Sequence, residues 1–108
     1  MSKESDFQRK LIEELEQRFP GCIVVKNDPT YIQGIPDLTM LYKDTWVSFE
    51  CKRSEKELKK PRPNQGYWIN YMKDKMGGLS FFIYPEIKEA VLDEVQQALR
   101  IRGYSCVL

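Results

Sequence analysis

Two carboxylates and one lysine near the middle of the chain have the types and spacing of a cation-binding site. Asp37 begins one predicted strand, and Glu50 and Lys52 lie at the end of the next. If Lys43 and Asp44 form the hairpin turn between these strands, Asp37 lies directly opposite Glu50, with Cβ atoms about 5 Å apart. Lys52 is two residues beyond Glu50 and therefore lies on the same face of its strand.

Directly opposed carboxylates repel each other, so a sheet seldom carries them without compensation. A divalent cation bound through the carboxylate oxygens would remove this repulsion. The pair therefore predicts a metal site at one end of the hairpin. The alternative is a partly exposed sheet face that carries ordinary charges. Lys-Asp is not a favoured pair for a tight hairpin turn, which leaves the register open by one or two residues.

Two polar residues on neighbouring predicted helices point to the same place. Glu4 continues the apolar stripe of the first helix, which includes Leu11, so it faces the sheet. Gln65 continues the stripe of the second helix, which includes Ile69 and Met76, and also faces inward. Both side chains are predicted to converge on the end of the sheet that holds the carboxylate pair. Each could instead mark the point where its stripe reaches solvent.

The composition excludes several kinds of catalytic site. The chain has no histidine, which rules out Ser-His-Asp triads, Cys-His pairs and HExxH zinc sites. Its cysteines, Cys22, Cys51 and Cys106, are far apart and form no CxxC pair, so they do not predict a zinc site. We expect buried thiols in a reducing compartment. Carboxylates, lysine, tyrosine or a bound metal must therefore carry any catalysis.

Positive charge is concentrated in one quarter of the chain. The formal net charge of the 108 residues is only +1, but residues 51–75 hold eight basic and three acidic side chains. A local excess of this kind is typical of a surface that contacts a polyanion. A solvated lysine-rich loop would explain it equally well. The basic residues of this segment include Lys56, Lys59, Lys60 and Arg62.

The pattern of apolar residues predicts one α/β domain over residues 1–108. The first helix would be capped by Ser2 or Ser5 and would end at Pro20 and Gly21. A polar loop is predicted over residues 53–62, before a helix that begins at Pro63. The predicted strands are residues 22–25, 37–42, 45–52 and a central strand 79–84, followed by a helix over 86–102 and a last edge strand over 104–108.

The segment Gly34-Ile35-Pro36-Asp37, followed by Glu50-Cys51-Lys52, resembles the signature of PD-(D/E)xK nucleases. With Gln65 at the head of the next helix, it resembles in particular the virus-type replication-repair nuclease (VRR-NUC) family, whose small stand-alone members occur in phages and bacteria. The helix-first layout with Glu4 is also similar to archaeal Holliday-junction resolvases. Over residues 4–84, the resemblance implies a restriction-endonuclease-like αβββαβ core with a mixed central sheet flanked by helices.

The resemblance also implies a role for each residue of the site. Lys52 would orient the attacking water or offset charge on the phosphate. Gln65 would position that lysine or the phosphate. The implied catalytic set is Asp37, Glu50, Lys52, Gln65 and Glu4. The implied ligands of Mg²⁺ or Mn²⁺, direct or through water, are Asp37, Glu50, the main-chain carbonyl of Cys51, and Glu4.

These inferences predict a Mg²⁺- or Mn²⁺-dependent DNA endonuclease that is selective for branched DNA, as a Holliday-junction resolvase is. No base-reading module is visible in the sequence, so we expect DNA to be recognised by its backbone and shape. The residues implied to contact the DNA backbone are Lys56, Lys59, Lys60 and Arg62. Three alternatives remain open: a non-catalytic nucleic-acid-binding protein on the same fold, a general DNA end-processing nuclease, and a small α/β scaffold protein.

A homodimer and a cytoplasmic location are also predicted. Symmetric cleavage of a junction needs two sites, and twofold dimers are the commonest oligomers. Tyr67, Tyr71 and Trp46 offer aromatic surface for an interface. The chain starts without an apolar signal region and has no apolar run of the ~18 residues that a membrane helix needs. The expected location is the cytoplasm of a bacterial cell or of a phage-infected host.

Overall fold

The computed structural model describes residues 3–58 and 64–105. Four of the sequence predictions, those on Lys59, Lys60, Arg62 and Cys106, lie outside these residues, as does the predicted helix start at Pro63. In chain order the elements are helix α1 (Lys3–Arg18), strands β1 (Ile23–Lys26), β2 (Leu38–Tyr42) and β3 (Thr45–Cys51), helices α2 (Glu55–Leu58) and α3 (Gln65–Asn70), a π-helical turn (Tyr71–Lys75), strand β4 (Leu79–Ile83), a 3-10 turn (Pro85–Ile87) and helix α4 (Lys88–Ile101).

The four strands form one mixed sheet in the order β1-β2-β3-β4. The first three strands are antiparallel neighbours, whereas β4 runs parallel to β3. A parallel pair needs a crossover connection, and α2 and α3 lie within it. The predicted hairpin register is confirmed, because Leu38 pairs with Phe49 and Tyr42 pairs with Thr45. A mixed α/β architecture with a four-stranded sheet and flanking helices is therefore present.

One side of the sheet, which we call the core face, is apolar. Alternate residues of β2 and β3, such as Met40, Val47 and Phe49, point to this side and are fully buried. Strand β4 contributes Phe81 and Ile83 to the same cluster, and helices α1 and α4 pack on it. Their buried apolar residues are Leu11, Leu15 and Phe19 from α1 and its C-terminal end, and Val91, Leu92, Val95 and Leu99 from α4.

The opposite side, which we call the polar face, carries Ser48 and Glu50 of β3 and Ser80 of β4. All three are buried although they are polar. Helix α3 contacts β3 and β4, and its residue Ile69 is buried. The Ser80 hydroxyl also lies 3.9 Å from the Met72 sulfur. Of the residues predicted to be functional, Glu50 lies on this face and the Lys52 ammonium lies beside it.

Two predictions about the elements near this face are wrong. Strand β4 was expected to be central, but it forms an edge of the sheet among the described residues, with β3 as its only strand neighbour. The segment predicted as a polar loop contains one turn of helix, α2. A buried edge strand has the same apolar sequence pattern as a central strand, because the pattern reports burial and not pairing.

The predicted inward stripe of the second helix holds at Ile69 and fails at Met76, which is 57% exposed. The cause is the π-helical turn Tyr71–Lys75. The Met76 amide donates to the Tyr71 carbonyl five residues earlier, at 3.2 Å. A wider turn adds a residue per repeat and rotates later side chains out of the 3.6-residue register.

The ends of the domain also differ from the predictions. Helix α1 extends over Ser5, so this residue lies inside the helix and does not cap it, while Ser2 lies outside the described residues. The last helix begins at Lys88, after the 3-10 turn. Tyr104 and Ser105 are not part of a strand, and residues 106–108 of the predicted edge strand lie outside the described part.

Within residues 3–58 and 64–105, no helix combines the length and the apolar character that crossing a membrane requires.

Candidate functional site

Asp37 and Glu50 meet at the end of the β2–β3 hairpin, as the sequence predicts. The Asp37 amide donates to Glu50 Oε1 at 3.1 Å, and the Cys51 amide donates to Asp37 Oδ2 at 2.9 Å. Each carboxylate therefore accepts a hydrogen bond from the main chain of the other strand. This exchange continues the hairpin beyond the Leu38–Phe49 pair and fixes the two carboxylates beside each other.

The segment before β2 is fixed by Asn27. The Asn27 amide donates to the Asp37 carbonyl at 2.9 Å, which extends the β1–β2 pairing up to Asp37. The Asn27 side chain donates from Nδ2 to the Pro36 carbonyl and to Thr39 Oγ1, both at 2.9 Å. Because these bonds bracket Asp37 on both sides, Asn27 restrains the main chain from which this carboxylate projects.

The loop that leads into Asp37 is held against the start of α3. Gly34 has φ +81°, and a Cβ atom at this position would lie 2.6 Å from Asn64 Cβ. Only glycine fits both this backbone conformation and this close approach. The Trp68 indole N–H donates to the Gln33 carbonyl at 3.0 Å. Glycine is therefore required at position 34 by the contact between this loop and α3.

Glu50 is buried, with 1% of its surface exposed. Burial, together with the adjacent Asp37 carboxyl group, raises the pKa of Glu50 from the ordinary 4.5 to about 8. The Lys52 charge acts in the opposite direction but is outweighed. A buried carboxylate that needs a counter-charge is the electrostatic situation that a bound cation relieves.

Lys52 lies on the same side as Glu50, as predicted from their spacing. Its Nζ is 3.8 Å from Glu50 Oε2, and only 5% of the residue is exposed. The Lys52 amide donates to the Ile83 carbonyl at 2.9 Å, so β4 fixes the main chain at this point. The ammonium group is thereby held at the carboxylate pair rather than extended into solvent, where most lysines lie.

Glu4 and Cys51 both lie near the pair. The charges of Asp37, Glu50 and Glu4 add to the effect of burial, and together they raise the pKa of the Cys51 thiol. This thiol therefore stays protonated at neutral pH, and its sulfur is not a thiolate ligand. Glu4 acts on Cys51 through its charge, but among the described residues it forms no three-ligand group with Asp37 and Glu50, so its predicted convergence on the pair stays a prediction.

The other predicted residues are only partly placed. The main chain of Gln65 opens α3, next to the contact between Gly34 and Asn64. Lys56 lies in α2 and is exposed. Lys59, Lys60 and Arg62 fall outside the described residues, so their expected contact with DNA stays a prediction.

The donor set at this site fits a divalent cation that shares its coordination with substrate. In the described residues, no group of three His, Cys, Asp or Glu side chains is arranged to hold a metal ion. The side-chain donors present are the two carboxylates of Asp37 and Glu50. Mg²⁺ is commonly held by one or two carboxylates, with water and substrate phosphates completing its shell. The adjacent carboxyl groups of Asp37 and Glu50 meet this requirement.

Two residues that support the site were missed in the sequence. Asn27 and Trp68 act through hydrogen bonds to carbonyl groups that lie nine and thirty-five residues away in the chain. Asn27 has a local signal, since an asparagine beside Asp28 and Pro29 is typical of a turn. Trp68 has none, because the apolar pattern of a helix does not report an indole that bonds to a loop.

The chain was compared with protein-family models, with curated proteins and with solved structures, and none of the three comparisons finds a match.

Proposed function

We propose that this protein is a metal-dependent DNA endonuclease of the PD-(D/E)xK type, similar to the VRR-NUC family, that hydrolyses phosphodiester bonds in branched DNA. The observation that carries the proposal is the contact between half-buried Asp37 and buried Glu50, with the Lys52 ammonium beside Glu50. Phosphodiester hydrolysis needs a cation site and a positive group near the phosphate, and this triad supplies both.

The element order supports the same proposal. Helix α1 precedes a three-stranded antiparallel unit, and a crossover that contains α3 leads to the parallel strand β4. This is the αβββαβ order of the restriction-endonuclease-like core that the sequence resemblance implies. The pair projects from the second and third strands of that unit, where the motif places it.

In the proposed mechanism, Asp37 and Glu50 hold Mg²⁺ or Mn²⁺, with the Cys51 carbonyl and Glu4 as further ligands, direct or through water. The bound cation would supply Lewis-acid stabilisation of the phosphate charge and lower the pKa of a water molecule. Lys52 offsets charge that develops on the phosphate, or orients the attacking water. Its burial beside Glu50 keeps the ammonium in place before the substrate arrives.

A homodimer is part of the proposal. Each chain holds one carboxylate pair, so cutting both strands of a branched substrate requires two chains related by a twofold axis. Ile23, Val25 and Leu41 are exposed on β1 and β2, and Ile23 pairs with Leu41 in the sheet. This apolar area fits an interface between two copies better than Trp46 does, because Trp46 is already in contact with Gly78.

The proposal is tested by incubating the purified protein with duplex, flap, single-stranded and four-way-junction DNA in Mg²⁺, Mn²⁺ or EDTA. We expect cleavage that requires the metal and is fastest on the branched substrates. Asp37→Asn and Glu50→Gln should reduce it to background. Asp44→Asn is the matched control, since Asp44 is an exposed carboxylate at the turn of the same hairpin. Cleavage in EDTA, or full activity of either site variant, would contradict the proposal.

A further inference from the structure

Helix α3 and the π-helical turn carry a cluster of aromatic rings, which we call the aromatic cluster: Tyr67, Trp68 and Tyr71. The ring centroids of Tyr67 and Trp68 are 5.2 Å apart, those of Trp68 and Tyr71 are 5.8 Å apart, and those of Tyr67 and Tyr71 are 5.9 Å apart. Each ring therefore contacts both others, and the cluster holds its shape without help from the core.

The aromatic cluster faces away from the core. Tyr67 is 57% exposed and Tyr71 is 39% exposed. Ile69, on the same helix, is buried and turned toward the sheet. Two large exposed rings, one helical turn apart, contribute little to packing within the chain. Grouped exposed aromatic surface of this kind marks a binding site more often than scattered apolar residues do.

The surroundings of the cluster match a nucleic-acid strand. A shallow cavity of about 220 Å³ is lined by Tyr67, Asn70, Tyr71, Asp74 and Lys75, smaller than the roughly 300–1,000 Å³ of pockets that enclose drug-sized ligands. The Asn70 amide offers a donor and an acceptor for a base edge. Lys75 is exposed and offers a charge for a phosphate.

The cluster is also connected to the carboxylate pair. The Trp68 indole donates to the Gln33 carbonyl, and Asp37 follows Gln33 by four residues. Four residues span at most about 14 Å of extended chain. A single strand of DNA bound at the aromatic cluster can therefore reach the carboxylate pair within a few nucleotides.

We propose that Tyr67, Trp68 and Tyr71 form a stacking platform for an unpaired nucleobase, so that the substrate is DNA with a single-stranded segment next to the bond that is cut. The inference rests on the proposed nuclease function and deepens it. Stacking is available to every base because each has a π face, so the platform needs no sequence preference. In intact duplex DNA the bases are stacked on each other and cannot occupy it.

The test measures binding in EDTA, so that cleavage plays no part. The double variant Tyr67→Leu/Tyr71→Leu keeps apolar side chains on a helix but removes the aromatic rings. The matched control, Tyr67→Phe/Tyr71→Phe, keeps the rings and removes only the hydroxyls. Each protein is titrated into fluorescein-labelled DNA as a single strand, a flap and a blunt duplex, and 2-aminopurine in the single strand reports stacking directly.

We expect the leucine variant to bind the single strand and the flap about ten- to a hundredfold more weakly for each base that no longer stacks, with duplex binding unchanged. The phenylalanine variant should bind all three DNAs as the wild type does and should quench 2-aminopurine equally. Unchanged binding of the single strand by the leucine variant, or an equal weakening on duplex DNA, would overturn the inference.

Light scattering on the same samples tests the competing explanation, that the aromatic cluster contacts a second copy of this chain and not a nucleobase. If the wild type is a dimer and the leucine variant a monomer, the cluster is a subunit interface and the inference is wrong.

Failure of the proposed function is recognised separately from failure of the stacking platform. If only the proposed function is wrong, the wild type quenches 2-aminopurine but cuts no DNA in Mg²⁺ or Mn²⁺. If only the platform is wrong, the wild type still cuts DNA and the leucine variant binds single-stranded DNA as the wild type does.

Discussion

Strand β3 separates two buried regions of opposite character. On the core face its residues Val47 and Phe49 are fully buried among apolar side chains. On the polar face Ser48 and Glu50 are buried just as deeply, and Lys52 follows them immediately after the strand. Burial of apolar surface stabilises the fold, at about 25 cal/mol for each Å². Burial of ionisable groups opposes folding unless opposite charges and hydrogen bonds fully compensate the loss of their hydration.

The difference between the two faces shows that the core face stabilises the fold, whereas the polar face carries a buried ionisable group that stability does not require. The raised pKa of Glu50 means that its charged form is disfavoured in the metal-free fold. An apolar residue could fill this space without that cost. Stability alone therefore does not explain why Glu50 is buried on the polar face, and the proposed cation between Asp37 and Glu50 would explain it.

The largest change in stability is expected from a substitution on the core face, and a substitution on the polar face should act in the opposite direction. Phe49→Ala removes a fully buried ring that stacks on Phe81, so it should lower the free energy of unfolding by about 3–5 kcal/mol. Glu50→Gln should raise that free energy in EDTA, because at pH 7 the folded state must keep on Glu50 a proton that the unfolded state releases, and an uncharged amide of the same shape avoids this cost. Urea unfolding of both variants at pH 7 measures this, and a large destabilisation by Glu50→Gln would contradict the distinction between the faces.

The stability of the metal-free protein should fall as the pH rises. Glu50 has a pKa near 4.5 when unfolded and about 8 when folded, so the folded state retains a proton that the unfolded state has lost between these values. Its contribution to stability is complete below pH 4.5 and is lost as the pH rises through 8. A loss of a few kcal/mol between pH 5 and pH 9 is expected in EDTA, and Glu50→Gln should remove most of this slope. Equal slopes for both proteins would rule out Glu50 as the cause.

Replacing Lys52 should separate catalysis from metal binding. Lys52→Met keeps the buried aliphatic stem and removes the ammonium 3.8 Å from Glu50. Cleavage should fall by about a hundredfold, the typical loss of one group that stabilises transition-state charge. Mn²⁺ affinity should not fall, because the site becomes more negative. A parallel loss of both, measured by single-turnover cleavage and calorimetry, would mean that Lys52 only supports the fold.

The smallest effect is expected from the basic segment outside the candidate site. Changing Lys56, Lys59, Lys60 and Arg62 to alanine should weaken binding to all DNA sequences alike. On duplex DNA, the slope of log affinity against log salt should become shallower by about 0.9 for each phosphate that the variant no longer neutralises. An unchanged slope would show that this segment does not touch the DNA backbone.

The hairpin and its carboxylate pair could be predicted from the sequence because their rules are local. A two-residue turn at Lys43 and Asp44 fixes every partner in β2 and β3, and one buried face fixes the register. This register places Asp37 opposite Glu50. The same local reasoning placed Lys52 beside Glu50.

The features that depend on distant contacts could not be predicted. The π-helical turn rotates Met76 out of the apolar stripe predicted for the second helix, and the residue types of Tyr71–Lys75 give no sequence signal of this turn. The edge position of β4 depends on what pairs with it and not on its own apolar pattern. The bond from Trp68 to the Gln33 carbonyl joins two segments that are adjacent only in the folded chain.

The most direct test of the central claim, that the pair of Asp37 and Glu50 is a cation site, is titration of the metal-free protein with Mn²⁺ by calorimetry. We expect one Mn²⁺ to bind each wild-type chain at pH 7, with release of the proton that Glu50 carries, detected by repeating the titration in buffers of different ionisation enthalpy. Glu50→Gln should show no saturable binding, and Asp44→Asn should behave as the wild type does. Absence of saturable binding to the wild type, or equal binding to Glu50→Gln, would contradict the account.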